Sequence, residues 1–74
     1  MTQPLADFVA AQMRAEMARR LMSAAELGRK IGVDETWVRR RMRGQYAITM
    51  SDLERIADGL DVPVAQFIPT GAAV

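Results

Sequence analysis

The stretch from Ser23 to Gly44 constrains the fold more than any other part of the chain. It carries helix start and stop signals in close succession. Ser23-Ala24-Ala25-Glu26 has the form of a capping box, in which Ser23 and Glu26 satisfy each other's free backbone donors. Ala24, Leu27, Gly28 and Ile31 then recur at helical spacing on one face. Gly32-Val33 ends that helix, because glycine readily takes the left-handed conformation after a helix. Asp34 is a good cap for a second helix, Glu35 to Arg43, and Gly44 stops it. A tight Gly32-Val33-Asp34 turn therefore joins two short helices and projects the second one outward.

The flanking sequence supplies three more helical segments, so the pattern predicts an all-α fold of five helices. The first runs from about Pro4 to Leu21, with Leu5, Phe8, Val9, Met13, Met17 and Leu21 on one face. After the loop Gln45-Tyr46-Ala47-Ile48, Thr49 caps a fourth helix that carries Met50, Leu53, Ile56, Ala57 and Leu60. Asp61-Val62-Pro63 breaks the chain, and Pro63 suits the first turn of a short fifth helix ending near Ile68. No segment shows strand alternation, and no internal repeat is visible. The 74 residues fit one domain, 1–74, with the two-helix motif at 23–44 and a frayed tail at 69–74. A chain of this size buries roughly 60–65% of its unfolded surface. Half of its residues are hydrophobic, enough for a compact core. The six methionines, Phe8 and Phe67 are expected in that core.

Several function classes are excluded by residue type. The chain has no cysteine and no histidine. That removes disulfides, thiolate or imidazole zinc sites, and His-assisted nucleophilic catalysis. With no glycine-rich phosphate loop either, no enzymatic site, metal or cofactor is expected. No apolar run approaches the ~18–20 residues that span a bilayer. Met1-Thr2-Gln3-Pro4 lacks the basic and apolar regions of a signal peptide. A cytoplasmic location is expected, and a reducing compartment suits a chain without disulfides.

Charge is distributed unevenly although its net value is only +1. Residues 14–43 hold nine basic and four acidic side chains, whereas residues 44–74 hold one basic and four acidic. Such a basic lobe suits a polyanion. Nine of the ten basic residues are arginine, which a GC-rich genome alone would produce. On a wheel of about 100° per residue, Val38 and Met42 lie together and face the core. Arg40 lies opposite them, with Thr36 and Arg43 on one flank and Trp37 on the other. Arg39 and Arg41 border the two sides. One narrow apolar stripe with a cationic, hydrogen-bonding remainder suits a helix that enters a DNA major groove about 12 Å wide. There Arg40 could fork onto guanine, Thr36 could touch a thymine methyl, and Glu35 could accept from cytosine.

The sequence SAAELGRKIGVDETWVRRRMRG, Ser23–Gly44, resembles the helix-turn-helix of the phage lambda repressor-like (Cro-like, XRE-type) family. The continuation TMSDLERIADGLDVPVAQFI resembles that family's fourth and fifth helices, so the likeness covers roughly two thirds of the chain. The resemblance implies a five-helix domain that binds operator DNA, usually as a dimer. By family position, Glu35, Thr36 and Arg40 match base-contacting sites, and Ser23, Arg43 and Tyr46 match sites near phosphates. Arg39 joins the base-contacting candidates and Arg41 the phosphate-contacting ones. Four departures stand out. Ala24 replaces a frequent glutamine, Gly28 a usual alanine, Arg41 an often apolar residue, and Glu35 a common amide.

Plainer roles compete at several positions. Glu35 and Arg39 are four residues apart and can form a local ion pair instead. Trp37 can pack over the helix pair and stack with Arg41. Tyr46 can cap its loop or reach a phosphate. Ser23 is first a helix cap. At the level of function, the reading is a sequence-specific transcriptional regulator of phage-repressor or Cro type, of the kind used in phage immunity. It would bind double-stranded DNA as a homodimer, with no small-molecule ligand and no membrane partner. The competing reading is an antitoxin or anti-repressor that uses the same fold for a protein partner. Four arginines within five residues, 39 to 43, favour DNA. The candidate dimer surface is Val64, Phe67 and Ile68, unless the core consumes them.

Overall fold

A computed structural model describes residues 4–69. Four α-helices follow one another: α1 (Pro4–Arg19), α2 (Ala24–Ile31), α3 (Glu35–Met42) and α4 (Met50–Leu60). A 3-10 turn, Val64–Phe67, stands where the fifth helix was expected. Among the described residues there is no strand. The readings of Met1-Thr2-Gln3 and of the tail beyond Pro69 fall outside the described residues.

Helix α1 buries Val9, Met13 and Met17 at four-residue spacing, and these side chains form the spine of the core. The helix stops at Arg19, two residues before the expected Leu21. Met22 N–H donates to the Met17 carbonyl at 2.9 Å and Leu21 N–H to Ala18 at 3.1 Å, closing the end as a Schellman-type turn. That closure puts Leu21 at φ 52°, and its side chain is 90% exposed rather than part of the stripe. Leu5 is also exposed and Phe8 is only half-buried.

The next two helices follow the caps read from the sequence. Ser23 Oγ accepts from Glu26 N–H at 3.1 Å, and Glu26 Oε1 accepts from Ser23 N–H at 2.8 Å. Gly32 takes φ 80° and its N–H donates to Gly28 at 2.9 Å. Gly28 lies directly under the turn, where an added Cβ would stand 2.7 Å from the Val33 carbonyl oxygen. Asp34 Oδ1 accepts from Trp37 N–H at 2.8 Å and starts α3. Val38 is the one fully buried residue of α3, and Met42 packs beside it half-buried.

Thr49 and Asp52 cap α4 reciprocally. Leu53, Ile56, Ala57 and Leu60 then face the core. Met50 does not; it is 55% exposed, because it sits on the first turn at the edge of the stripe. The final segment tightens into i→i+3 bonds, Gln66 N–H to Pro63 and Ile68 N–H to Ala65. Pro69 holds the residue before it extended (Ile68 φ −113°, ψ 122°), so no α-helix can develop there. Phe67 is driven wholly into the core and closes its base. The expected dimer surface is thereby reduced: the core takes Phe67, Val64 is half-buried, and Ile68 alone stays exposed.

One buried charge ties the two ends of the domain together. Glu16 is only 5% exposed and accepts hydrogen bonds from Arg19, Arg20 and Gln66. The bond from Arg20 leads in holding its carboxyl below the usual value, against the opposing effect of desolvation.

Candidate functional site

The outward face of α3 is built by subtraction. Val38 and Met42 anchor the helix, and Asp34 and Gly44 fix its ends, so the side chains opposite the anchor are left facing solvent. Glu35, Thr36, Arg39, Arg40 and Arg43 are all exposed. Gly44 takes φ 69°, and a Cβ there would stand 2.8 Å from Asp7 Oδ1, so the chain leaves α3 pressed against α1.

Neighbours divide this face into distinct parts. Arg39 Nε donates to Glu35 Oε2 at 2.6 Å, so the local ion pair weighed from the sequence is present. Arg40 and Thr36 stand on the outermost line. The Arg40 guanidinium lies 5.3 Å from the Tyr46 ring centre, which leans it toward the α3–α4 loop. Arg43 makes no ion pair among the described residues.

Arg41 is turned inward. The sequence sets it at a border as a phosphate contact, but its side chain is only 15% exposed. Its guanidinium stacks 4.0 Å from the Trp37 ring centre, as the four-residue spacing allows. It also lies 5.6 Å from the Tyr46 ring and 3.8 Å from Asp52. One guanidinium N–H donates to the Trp37 carbonyl at 3.3 Å, whereas Nε is buried without a partner. Arg41 thus braces Trp37, Tyr46 and the start of α4 from behind the exposed face.

Ser23 is exposed at the N-terminus of α2. Its oxygen accepts the capping bond, which leaves the hydroxyl proton able to donate elsewhere. The capping bonds, first that from the Ser23 backbone, hold the Glu26 carboxyl below its usual value.

Two clefts flank α3. One, of about 300 Å³, is lined by Arg14, Arg39, Met42 and Arg43. The other, of about 430 Å³, includes Thr36, Trp37, Arg40, Arg41 and Arg55. Arg14 and Arg55 were not among the site residues read from the sequence. Both lie outside the two-helix motif, and only the packing of α1 on α3 and of α4 on α2 brings them beside α3. Among the described residues, no group of three or more acidic side chains is placed to hold a metal ion. No helix there is long and apolar enough to cross a membrane.

The model of the family described as a helix-turn-helix domain matches residues 9–67, which contain all four helical contributions to this face. The chain belongs to the helix-turn-helix domain family, of the XRE-like kind. The helix-turn-helix domain is similar to the hypothetical transcription factor NHTF from Neisseria, at 30% identity and a TM-score of 0.82. That match covers 93% of this chain and 82% of the other. The clp gene regulator ClgR from C. glutamicum shares the fold at 20% identity and a TM-score of 0.81, covering 93% and 90%. An HTH_3 family transcriptional regulator from Vibrio cholerae shares it at 23% identity and a TM-score of 0.80. The helix-turn-helix domain covers 89% of its own length there, but 37% of the longer Vibrio chain. No curated protein matches the sequence.

Proposed function

We propose that the domain binds double-stranded DNA sequence-specifically and regulates transcription, with α3 lying in the major groove. The observation that carries this reading is the outward face of α3. Thr36, Arg39 and Arg40 are exposed on a short helix that buries a single residue fully in the core, and Arg43 is exposed at its C-cap. Such a surface presents forked donors that match phosphate and guanine geometry. The relatives named as transcription regulators support the same reading.

Within it, Thr36 and Arg40 read bases from the outermost line. Glu35 and Arg39 read at the flank once their mutual ion pair opens. Ser23, Arg43 and Tyr46 meet phosphates, and Arg41 acts chiefly through Trp37 and Tyr46. The working unit is a homodimer of repressor or Cro-like type. Selection of binding sites from random duplex DNA tests this directly. The expected result is one enriched motif. Enrichment of nothing above the starting pool would contradict sequence-specific binding.

A further inference from the structure

The cleft between α1 and α3 joins Arg14, from outside the two-helix motif, to Arg39 and Arg43 within it. Arg39 on α3 and Arg43 at its C-cap are four residues apart, and Arg14 reaches them from α1. Met42 forms the apolar floor between them. Glu35 is the acidic residue paired there, and it engages Arg39 alone. Arg14 uses one guanidinium N–H on the Met42 carbonyl, at the C-terminal end of α3. A guanidinium has five donors, so most of its hydrogen-bonding capacity stays available. Arg14 and Arg43 have no ion-pair partner among the described residues, so their like charges repel one another, and an anion placed between them removes that repulsion.

We infer that Arg14 and Arg43, beside the base-reading Arg39, form a binding site for a phosphate group, which in the working complex is a backbone phosphate of the duplex beside α3. The inference rests on the proposed DNA-binding function and extends it to a residue of α1. Position favours a phosphate over a base. The cleft lies on the flank of α3, beside the Thr36–Arg40 line, and a helix seated in the major groove turns its flanks toward the sugar–phosphate strands. Arginine forks match phosphate oxygens bidentately. The Met42 carbonyl holds the Arg14 guanidinium in place, so less rotamer freedom is lost when the phosphate arrives.

The test compares the full chain with Arg14→Gln and Arg14→Lys. Affinity for the selected duplex and for an unrelated duplex is measured at several salt concentrations. Arg14→Gln should weaken both duplexes by a similar factor, on the order of 3- to 10-fold, and reduce the log–log salt slope by about one. Arg14→Lys should restore the slope, because it restores the charge. Unchanged binding by Arg14→Gln would overturn the inference, as would a loss that Arg14→Lys fails to restore. Thermal melting of each variant separates a folding defect from a binding one. If the unaltered chain binds no duplex at all, the DNA reading fails and inorganic phosphate decides the cleft. A phosphate-dependent rise in melting temperature, present in the unaltered chain and absent in Arg14→Gln, would keep the site as one for a free anion. No such difference would remove the site as well.

Discussion

Arg43, the C-cap of α3, follows Arg40 by only three residues, yet their surroundings differ. Arg40 stands on the outermost line beside Tyr46, whereas Arg43 ends the helix next to Gly44 and the basic cleft. Arg40→Ala should cost about 1–3 kcal/mol on the selected site and relax preference at one base pair. Arg43→Ala should weaken all sequences equally and lower the salt slope by about one. Affinities for the selected site and its single-base variants, at two salt concentrations, separate the two outcomes. Uniform loss with full base preference in Arg40→Ala would make Arg40 a phosphate clamp. Glu16 shows a different dependence on its neighbours. Its folded carboxyl titrates below its unfolded value, chiefly because Arg20 donates to the charged form. The stability it contributes is therefore present above the unfolded pKa of about 4.3 and is lost as pH falls through the folded value. Melting temperature should drop as the pH is lowered below the unfolded value, and Glu16→Gln should show a smaller drop from a lower starting point. An identical pH profile in the variant would show that Glu16 does not stitch α1 to the final turn.

At the scale of the element, what was legible in the sequence was local chemistry. Ser23, Asp34 and Thr49 cap helices because their side-chain oxygens reach backbone N–H groups three residues on, within one turn of chain. Gly32 and Gly44 end helices because positive φ suits them. What was not legible depends on distant partners. Leu21 reads as one more member of the α1 stripe, but the turn into α2 takes it into the left-handed region and out of the core. Met50 fits the periodicity of α4 and is left outside by its place at the helix start. The final turn reads as a helix until Pro69 and the burial of Phe67 are taken together. Arg14 carries no local signal at all; the packing of α1 on α3 places it. Gly28 links both kinds of information. The usual small residue there is legible, but its reason is the approach of the Val33 carbonyl. Gly28→Ala should destabilise the domain by about 1–3 kcal/mol despite alanine's better helix propensity, since backbone rather than a side chain must move. Leu53→Ala, at a site 1% exposed, should cost ~2–5 kcal/mol. Thermal or denaturant unfolding checks both, and an unchanged midpoint for Leu53→Ala would place the inner face of α4 elsewhere.

For the whole molecule, the basic lobe and the acidic remainder become a geometric polarity. The C-terminal acids Glu54, Asp58 and Asp61 are exposed on or just after α4, and none of them lines either cleft beside α3. One recognition helix reads only a few base pairs, so we propose a two-fold pair with its two α3 helices about 34 Å apart on one face of the duplex. The selected site should then be an inverted repeat with half-sites one turn apart. A single unrepeated half-site, with one chain per duplex by mass, would reject the dimer while leaving DNA binding intact. The salt dependence of binding to the selected duplex decides whether the domain engages the DNA backbone. Four to six phosphate contacts per subunit predict that log affinity falls with log salt at a slope of about −4 to −5 per subunit. A slope near zero, or no binding at low salt, would contradict it.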